Sequence, residues 1–292
     1  MYDLVVIGNP TFINGRLAGP SIYSAATAAK IGIEQMVIVS ALGSDVIDAF
    51  IQGVSDLGIP EYFIIEASGN SVVQIQNPTL NLDEKILGLP SRIGIRDIPD
   101  EFLDAKVILL SPALQEIDAE FVEWICNSTD SLVFLDPQLR KLNLAGRLEI
   151  IREFSLAEKT QSFLDLIILN QLESELITGE SDLYLAAELI VEWASETCII
   201  TLGKNGSLVY DGTEFSLIPS FPSQEVDPTE AGAVYLGAFA AESIAGNPLI
   251  DCCIYASTIA SIKVENQGME FSIDESEITH RTNTIADLVD TR

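Results

Sequence analysis

The sequence lacks the residues that several kinds of site require. Its 292 residues include one histidine, His280, which lies in a polar C-terminal tail and argues against Ser-His or Cys-His catalysis. The four cysteines show no Cys-x-x-Cys spacing, and Cys252 and Cys253 stand side by side in an apolar helical run. Such cysteines are typical of small core residues, so we expect no zinc site and a reducing, cytoplasmic environment.

Basic residues are scarce as well. The chain has 15 lysines and arginines against 44 aspartates and glutamates, a formal net charge of −29. A surface this negative repels nucleic acids and anionic membranes, although backbone amides and magnesium can still hold a small anion locally. Apolar runs such as DLIILN and KVILLS are too short to span a bilayer. The N-terminus opens with a strand-like run and no basic segment, so we expect no signal peptide.

What the sequence does contain is a regular alternation of core-forming segments. Hydrophobic residues make up 48% of the chain, enough for the core of one large domain. Short apolar runs alternate with amphipathic segments, which predicts a mostly parallel sheet with helices on both faces. We expect helices at 21–31, 46–57, 118–128, 171–178 and 182–195, and either a final helix or a frayed tail from about 274.

Two stretches break this alternation. Residues 11–17 (TFINGRL) and about 61–96 contain short strand-like runs between Gly, Asn and Pro turns. We interpret them as a small β element attached to a single α/β domain that spans 1–292. Because its strand edges need a partner, such an element usually covers a site or makes a dimer contact.

Four predicted strand ends carry polar or glycine residues, at the edge where open α/β sheets bind ligands. In chain order the segments are DPQLR at 136–140, NQLESE at 170–175, TLGKNG at 201–206 and EVDPTEAGAVYLGAF at 225–239. Each segment alone is explained by an ordinary turn. Their order along the chain is stronger evidence for a ligand site than any one segment alone.

That order resembles the ribokinase-like (PfkB) family of sugar and nucleoside kinases, and the match covers nearly the whole chain. LAGPSIYSAATAAKIG at 17–32 resembles the family's N-terminal signature, DPQLR its D-P-N-x-R strand end and NQLE its N-x-x-E motif. VDPTEAGAVYLGAF at 226–239 is similar to the C-terminal signature V-D-T-T-G-A-G-D-x-F.

The resemblance implies a three-layer α/β/α sandwich whose small β element is a lid, which in the family closes over substrate and often pairs two subunits. It implies ATP and Mg²⁺ as cofactors, and a small sugar, polyol or nucleoside as the partner. The residues it assigns to ATP and phosphate are Asn170, Glu173 (contacting the metal through water), Thr201, Gly203, Lys204, Gly206 and Asn266. Those it assigns to the acceptor are Asn9, Thr11, Asn14, Gly19, Tyr23, Gly43 and Asp45.

The C-terminal signature departs from the family where the chemistry takes place. In the family, the G-A-G-D segment supplies an anion hole of backbone amides, and its aspartate takes the proton from the attacking hydroxyl. The anion hole falls on Ala231, Gly232 and Ala233, and Ala233 also stands at the aspartate position, where it cannot accept a proton. Loss of a positioned base lowers a rate by about 10²–10⁴. Glu230 and Asp227 are the candidate substitutes.

Glu230 raises a second question, because it stands where the family has the first glycine of the anion hole. A carboxylate about 4 Å from a phosphate would cost about 4 kcal/mol at an effective dielectric constant of about 20. The Glu230 side chain can instead point outward, carry a proton or bind a cation.

The segments that the resemblance assigns to acceptor binding also depart from the family pattern. Ile13 stands in place of the family's substrate-gripping aspartate, Ala18 in place of the first glycine of the Gly-Gly turn, and Tyr23 in place of an asparagine. Tyr23 either contacts the acceptor or packs beneath the lid.

Two of the matching motifs also have a structural explanation. Asn170 is a good helix N-cap with Glu173 three residues later, the spacing of a capping box. Asp227 before Pro228 is equally typical of an ordinary turn.

These observations support two hypotheses. The first is a ribokinase-related kinase that transfers a phosphoryl group from ATP to a small hydroxyl acceptor, with weak or altered activity. The second is a catalytically inactive pseudokinase that serves as a ligand-binding or interaction subunit, which the losses in three separate motifs favour. A non-kinase reaction has no motif to support it.

Overall fold

A computed structural model describes residues 1–13, 15–67, 73–76, 85–87, 91–114, 116–142, 148–150 and 164–291. In chain order the strands are β1 (Tyr2–Ile7), β2 (Thr11–Ile13), β3 (Arg16–Ala18), β4 (Met36–Gly43), β5 (Tyr62–Ala67), β6 (Val73–Gln76), β7 (Lys85–Leu87), β8 (Ala105–Leu110), β9 (Leu132–Leu135), β10 (Arg140–Leu142), β11 (Leu148–Ile150), β12 (Leu164–Asn170), β13 (Ser195–Thr201), β14 (Ser207–Tyr210), β15 (Phe215–Ile218) and β16 (Asp290–Thr291).

The main sheet of the described residues has the strand order β16-β15-β14-β13-β12-β9-β8-β1-β4-β5. From β5 to β13 all neighbouring strands run parallel, and β14 to β16 continue the sheet antiparallel. In the register at the centre, Val5 of β1 lies between Val37 of β4 and Ile108 of β8. The carboxyl ends of the parallel strands therefore meet at one edge, where such sheets bind ligands.

The helices are α1 (Pro20–Ile31), α2 (Ile47–Asp56), α3 (Ala119–Ser128), α4 (Gln171–Thr178), α5 (Leu183–Trp193), α6 (Ala231–Ile244), α7 (Leu249–Lys263) and α8 (Glu275–Ala286). For the five helices whose bounds were predicted from sequence, α1 to α5, the predicted and observed bounds agree within two residues. Aspartates cap several of the helices, since Asp118, Asp182 and Asp274 each accept a backbone N–H of the first turn. None of the helices in the described ranges has the length and apolar character that crossing a membrane requires.

The sheet separates two hydrophobic cores. Leu4 and Val6 of β1 point to a core shared with α1, α6 and α7, whereas Val5 and Ile7 point to a core shared with α3 and α5. This is the α/β/α sandwich predicted from the sequence. Cys252 lies with its neighbour Cys253 in α7, and both thiols are buried and free, as expected.

A second sheet of the described residues has the order β3-β2-β6-β7, which confirms a small β element separate from the main sheet. We call this sheet the lid. The expected start of its second part at about 61 is wrong, because β5 pairs in parallel with β4 at the edge of the main sheet, with Phe63 opposite Val39 and Ile65 opposite Ala41. A short apolar run suits either place, so periodicity alone does not separate them. β10 and β11 pair as a further two-stranded sheet.

Helices α1 and α6 approach each other closely. A Cβ at Gly237 of α6 would lie 2.3 Å from the backbone oxygen of Ser24, so glycine is required there. The Ser24 hydroxyl donates to the Ala233 carbonyl over 2.9 Å. This contact fixes the N-terminal end of α6 at the edge of the sheet.

Candidate active site

Two adjoining cavities lie where β9, β12 and β13 end. The smaller cavity has a volume of about 310 Å³ and the larger one about 800 Å³. The two cavities share the lining residues Asn170, Thr201, Pro228, Ala231 and Gly232. They therefore form one continuous depression.

The smaller cavity surrounds residues 227–230, which we call the 227–230 turn, and the start of α6. Glu230 occupies the N-cap position of α6, and its backbone lies in the left-handed region at φ 60°. The N–H groups of Gly232 and Ala233, in the first helical turn, have no hydrogen-bond partner among the described residues. Such amides at a helix N-terminus attract anions. The predicted anion-hole residues thus face a cavity that a phosphate can enter.

Asp227 is held firmly within this turn. Its Oδ1 accepts the Thr229 N–H over 3.0 Å, and its Oδ2 accepts the Gly268 N–H over 2.8 Å and the Gln267 amide over 3.0 Å. Burial acts to raise the pKa of Asp227, but the Gly268 and Thr229 donors and the Lys263 charge together hold the pKa below its ordinary value. Both carboxylate oxygens are engaged, which makes Asp227 a poor proton acceptor.

The Lys263 ammonium, at the end of α7, closes the 227–230 turn. Its side chain is 0% exposed. The Nζ donates to the Asp227 carbonyl over 2.7 Å and to the Thr229 carbonyl, and it lies 3.6 Å from Asp227 Oδ2. It also lies 5.8 Å from the centroid of the Tyr23 ring. A buried lysine therefore binds the backbone of the turn directly.

Three carboxylates line the smaller cavity: Asp136, Glu173 and Glu230. The Gln138 amide donates to Asp136 Oδ2 over 2.9 Å. Burial, and then the nearby Glu173 carboxylate, raise the pKa of Asp136 to about 7, and Glu230 adds to the shift. No lysine or arginine of the described residues lines this cavity. Among the described lining residues, negative charge is therefore in excess.

Asn170 and Glu173 form a capping box at the start of α4. Asn170 Oδ1 accepts the Glu173 N–H over 2.9 Å, and Glu173 Oε2 accepts the Asn170 N–H over 3.0 Å. Glu173 Oε1 also accepts the Leu139 N–H over 3.3 Å. The capping explanation is confirmed, and both residues nonetheless line the smaller cavity.

The chemistry of the smaller cavity fits magnesium. Within the described residues, no group of three or more His, Cys, Asp or Glu side chains is arranged to hold a metal by itself. Mg²⁺, however, is usually bound by one or two carboxylates together with substrate phosphates and water. The raised pKa of Asp136 results first from burial and then from the Glu173 and Glu230 carboxylates, whose charge a cation would neutralise. These residues suit Mg²⁺ that arrives with a phosphate ligand, not a preformed metal cage.

The larger cavity joins polar turns to an apolar wall. Five residues predicted to bind ATP and phosphate line it: Asn170, Thr201, Gly203, Lys204 and Gly206. Gly206 has φ 92°, and a Cβ there would lie 1.9 Å from the Ile218 carbonyl oxygen, so the turn requires glycine. The apolar wall consists of Phe221, Pro222, Tyr235, Ala260 and Val264. Asn266 is not part of the lining, and its amide donates to the Ile262 carbonyl over 2.8 Å.

The Phe221 ring of this wall packs against the side chains of His280 and Arg281. The Arg281 guanidinium lies 4.5 Å from the centroid of the Phe221 ring, and the His280 ring meets it edge-on at 5.7 Å. Arg281 is itself bound by Glu265 and Glu277, each over 2.7 Å. His280 is exposed, which confirms the surface position predicted for it.

The residues predicted to bind the acceptor lie apart from these cavities. Asn14 falls outside the described residues, and the others line neither cavity: Asn9, Thr11, Gly19, Tyr23, Gly43 and Asp45. Asn9 is fully buried, where its amide donates to the Ser91 carbonyl over 2.8 Å and accepts the Ala41 N–H over 2.7 Å. Asn9 therefore ties the end of β1 to neighbouring segments.

Gly19 and Tyr23 shape the start of α1. Gly19 has φ 105°, and a Cβ there would lie 2.9 Å from the Thr11 nitrogen, so the turn after β3 requires glycine. Tyr23 is 7% exposed and belongs to the core shared by α1, α6 and α7. Burial, and then Glu230 and Asp227, raise the pKa of Tyr23 to about 12. The packing explanation for Tyr23 is confirmed.

Sequence analysis assigned no role to two residues that define this site. Asp136 lies at the strand end of the DPQLR motif, and this position could have indicated that it lines the site. Lys263 is marked less clearly. It is a lone lysine within the largely apolar run ASIKV at 260–264, a pattern that favours burial over a solvent-facing position.

Comparison with known proteins shows what this chain is similar to. The family described as pfkB family carbohydrate kinase matches residues 97–276. A cytidine kinase from Thermococcus kodakarensis is 29% identical over 264 residues, which cover 86% of this chain and 92% of the relative.

Solved structures share the fold. A pyrophosphate-dependent kinase in the ribokinase family, complexed with a pyrophosphate analog and myo-inositol, has a TM-score of 0.78 at 16% identity and covers 95% of this chain and 99% of its own. A chain assigned as a ribokinase II from E. coli, in complex with ATP and Mg²⁺, has a TM-score of 0.71 at 16% identity and covers 97% of this chain and 100% of its own.

Proposed function

The chain belongs to the pfkB family of carbohydrate kinases, and we propose that it transfers the γ-phosphoryl group of ATP to a hydroxyl of a small sugar, polyol or nucleoside. The observation that carries this proposal is the pair of adjoining cavities, one at the unpaired amides of α6 and one large enough for a nucleoside. Phosphoryl transfer from ATP uses both, because the enzyme holds the phosphates in one place and the nucleoside in the other.

The larger cavity favours ATP over pyrophosphate as the donor. Its volume of about 800 Å³ lies in the range of pockets that enclose whole small molecules. The braced Phe221 ring and its apolar neighbours offer the flat surface that a purine base requires. A pyrophosphate donor would leave this wall without a function.

Asp136 and Glu173 are the residues that would hold Mg²⁺, directly or through water. When bound, Mg²⁺ neutralises phosphate charge that the carboxylates of the smaller cavity would otherwise repel. The amides of Gly232 and Ala233 then stabilise the negative charge that develops on the transferring group.

We propose Glu230 as the base that accepts the hydroxyl proton. It lines the same cavity as the free amides, whereas Ala233, at the family's aspartate position, is buried and has no proton acceptor. Of the two candidate substitutes, Asp227 is disfavoured because both of its oxygens already accept hydrogen bonds.

The second candidate function is nucleotide or ligand binding without phosphoryl transfer. Ala233 favours it, since the position that should carry the base is an alanine with 2% of its surface exposed. In this case the cavities bind their ligand, and the chain acts as a sensor or an interaction subunit.

We further propose a homodimer formed through the lid, in a cytoplasmic protein. The support is the exposed edge beside the lid: β5, which precedes the lid strand β6 in the chain, is the edge strand of the main sheet, and its Tyr62 is 40% exposed. Light scattering on the purified protein tests the dimer, and a monomeric mass at micromolar concentration would contradict it.

Calorimetry with Mg·ATP tests the main proposal. We expect micromolar binding to the wild type and, in an acceptor screen that begins with cytidine, ribose and myo-inositol, formation of ADP with one of them. Binding without turnover would support the second candidate function. Binding to Glu230→Gly alone would show that the Glu230 carboxylate closes the site, and binding to neither protein would contradict the kinase function.

A further inference from the structure

The Lys263 side chain is fully buried. An ammonium is removed from water at high cost unless polar groups replace the water. Two backbone carbonyls and one carboxylate oxygen converge on Nζ. Burial lowers the pKa of Lys263, while Asp227 and Glu230 oppose that shift by favouring the charged form.

The converging oxygens all belong to the 227–230 turn. Carbonyl oxygens that point to one spot repel each other, so the turn needs a positive charge at that spot to keep its shape. The same turn leads directly into α6, where the Ala231 N–H donates to the Pro228 carbonyl over 3.2 Å. The direction of the Gly232 and Ala233 amides therefore depends on the cation that holds the turn.

We propose that Lys263 is a positioning residue for phosphoryl transfer: its ammonium is a built-in monovalent cation that holds the 227–230 turn so that the amides of Gly232 and Ala233 face the smaller cavity. This inference rests on the proposed function. It also means that the wild type carries its own cation, whereas a variant without the ammonium exposes an oxygen-lined space that a dissolved cation of similar size can enter.

Lys263→Ala is the primary test, measured in ammonium, potassium and tetramethylammonium chloride at equal ionic strength. In tetramethylammonium, which is too large for the space, we expect kcat to fall about 10²-fold, as when one anion-hole donor is lost, with the KM for ATP changed less than about threefold. Ammonium should raise kcat of this variant by about tenfold or more, and kcat should saturate as the ammonium concentration increases. Ammonium should also raise the melting temperature of the same variant.

Two further variants serve as controls. Lys263→Met removes the charge but fills the space, so we expect the same loss of kcat and no recovery in any salt. Lys30→Ala removes an exposed lysine that makes the same kinds of contact, to the carbonyl and the ring of Phe271. It should respond to the three salts as the wild type does.

The outcomes separate this inference from the proposed function. A wild type that binds Mg·ATP but transfers nothing contradicts only the kinase function, and Mg·ATP affinity then replaces kcat as the measurement. Full activity of Lys263→Ala in tetramethylammonium would overturn the positioning role. So would a low activity that ammonium leaves unchanged, or the failure of both Lys263 variants to fold in every salt. A wild type that binds no nucleotide would overturn both.

Discussion

On one face of the 227–230 turn, Asp227 and Lys263 compensate each other within a closed set of backbone partners. On the other face, Asp136, Glu173 and Glu230 line a cavity that has no basic side chain among the described residues. The first group is compensated by its own partners, and among the described residues the second has an excess of negative charge that a cationic ligand can neutralise. The turn therefore carries structural charge on one face and ligand-binding charge on the other.

The largest effect should come from the cavity face. Glu230→Gln keeps the shape of the side chain but removes its ability to accept a proton, so we expect turnover to fall by about 10²–10⁴ with Mg·ATP binding retained. Steady-state kinetics and calorimetry measure the two quantities. Glu175→Gln, at an exposed position of α4, is the control. Equal activity in wild type and Glu230→Gln would exclude Glu230 as the base.

On the compensated face, Asp227→Ala should lower stability most. It leaves the Lys263 ammonium buried without its counter-ion, and we expect a loss of about 3 kcal/mol in the free energy of unfolding, measured with urea. Asp211→Ala is the matched control, because Asp211 also accepts backbone N–H groups in a turn but is exposed. For this variant we expect the free energy of unfolding to fall by about 1 kcal/mol. Equal losses would show that charge compensation contributes little.

Asp136→Asn tests the uncompensated face by its pH dependence. The pKa of Asp136 is about 7 in the folded protein against an ordinary 3.8. The folded state therefore binds the proton more tightly than the unfolded state, and stability falls as the pH rises through this interval. We expect Asp136→Asn to gain about 2 kcal/mol at pH 8 and to lose this part of the pH dependence. Parallel urea-stability profiles from pH 4 to pH 8 would contradict the shift.

The smallest effect concerns Tyr23, whose ring faces the Lys263 ammonium. Tyr23→Leu removes the aromatic face, and we expect a loss of about 1 kcal/mol in thermal or urea unfolding. Tyr23→Phe keeps the ring and should differ from wild type by less than about 0.5 kcal/mol. If the two variants are equally destabilised, the phenol rather than the ring supports the turn.

The fold and the edge that carries the cavities could be predicted because they depend on local patterns. Helices such as α4 are marked by their own caps, and Asn170, Thr201 and Ala231 follow recognisable strand ends. The edge position of β5 could not be predicted in the same way, because a short apolar run fits the lid and the main sheet equally well.

The charge arrangement of the site depends on contacts that the sequence does not display. Lys263 and Asp227 are 36 positions apart, and nothing in either segment alone indicates that the ammonium binds the carbonyls of the turn. The raised pKa of Asp136 likewise results from burial and from Glu173, which follows a different strand. Long-range pairings of this kind appear only when the chain is folded.

The left-handed backbone at Glu230 also has a consequence for the substitutions that this position accepts. At φ 60° glycine is unstrained, whereas glutamate is less stable by about 1 kcal/mol. The backbone of the turn thus already has a conformation that glycine adopts without strain, although the side chain is that of glutamate. Glutamate and glycine codons differ by a single nucleotide, so one mutation converts Glu230 to glycine and relieves the strain. The chain can therefore accept glycine at this position without rebuilding the turn.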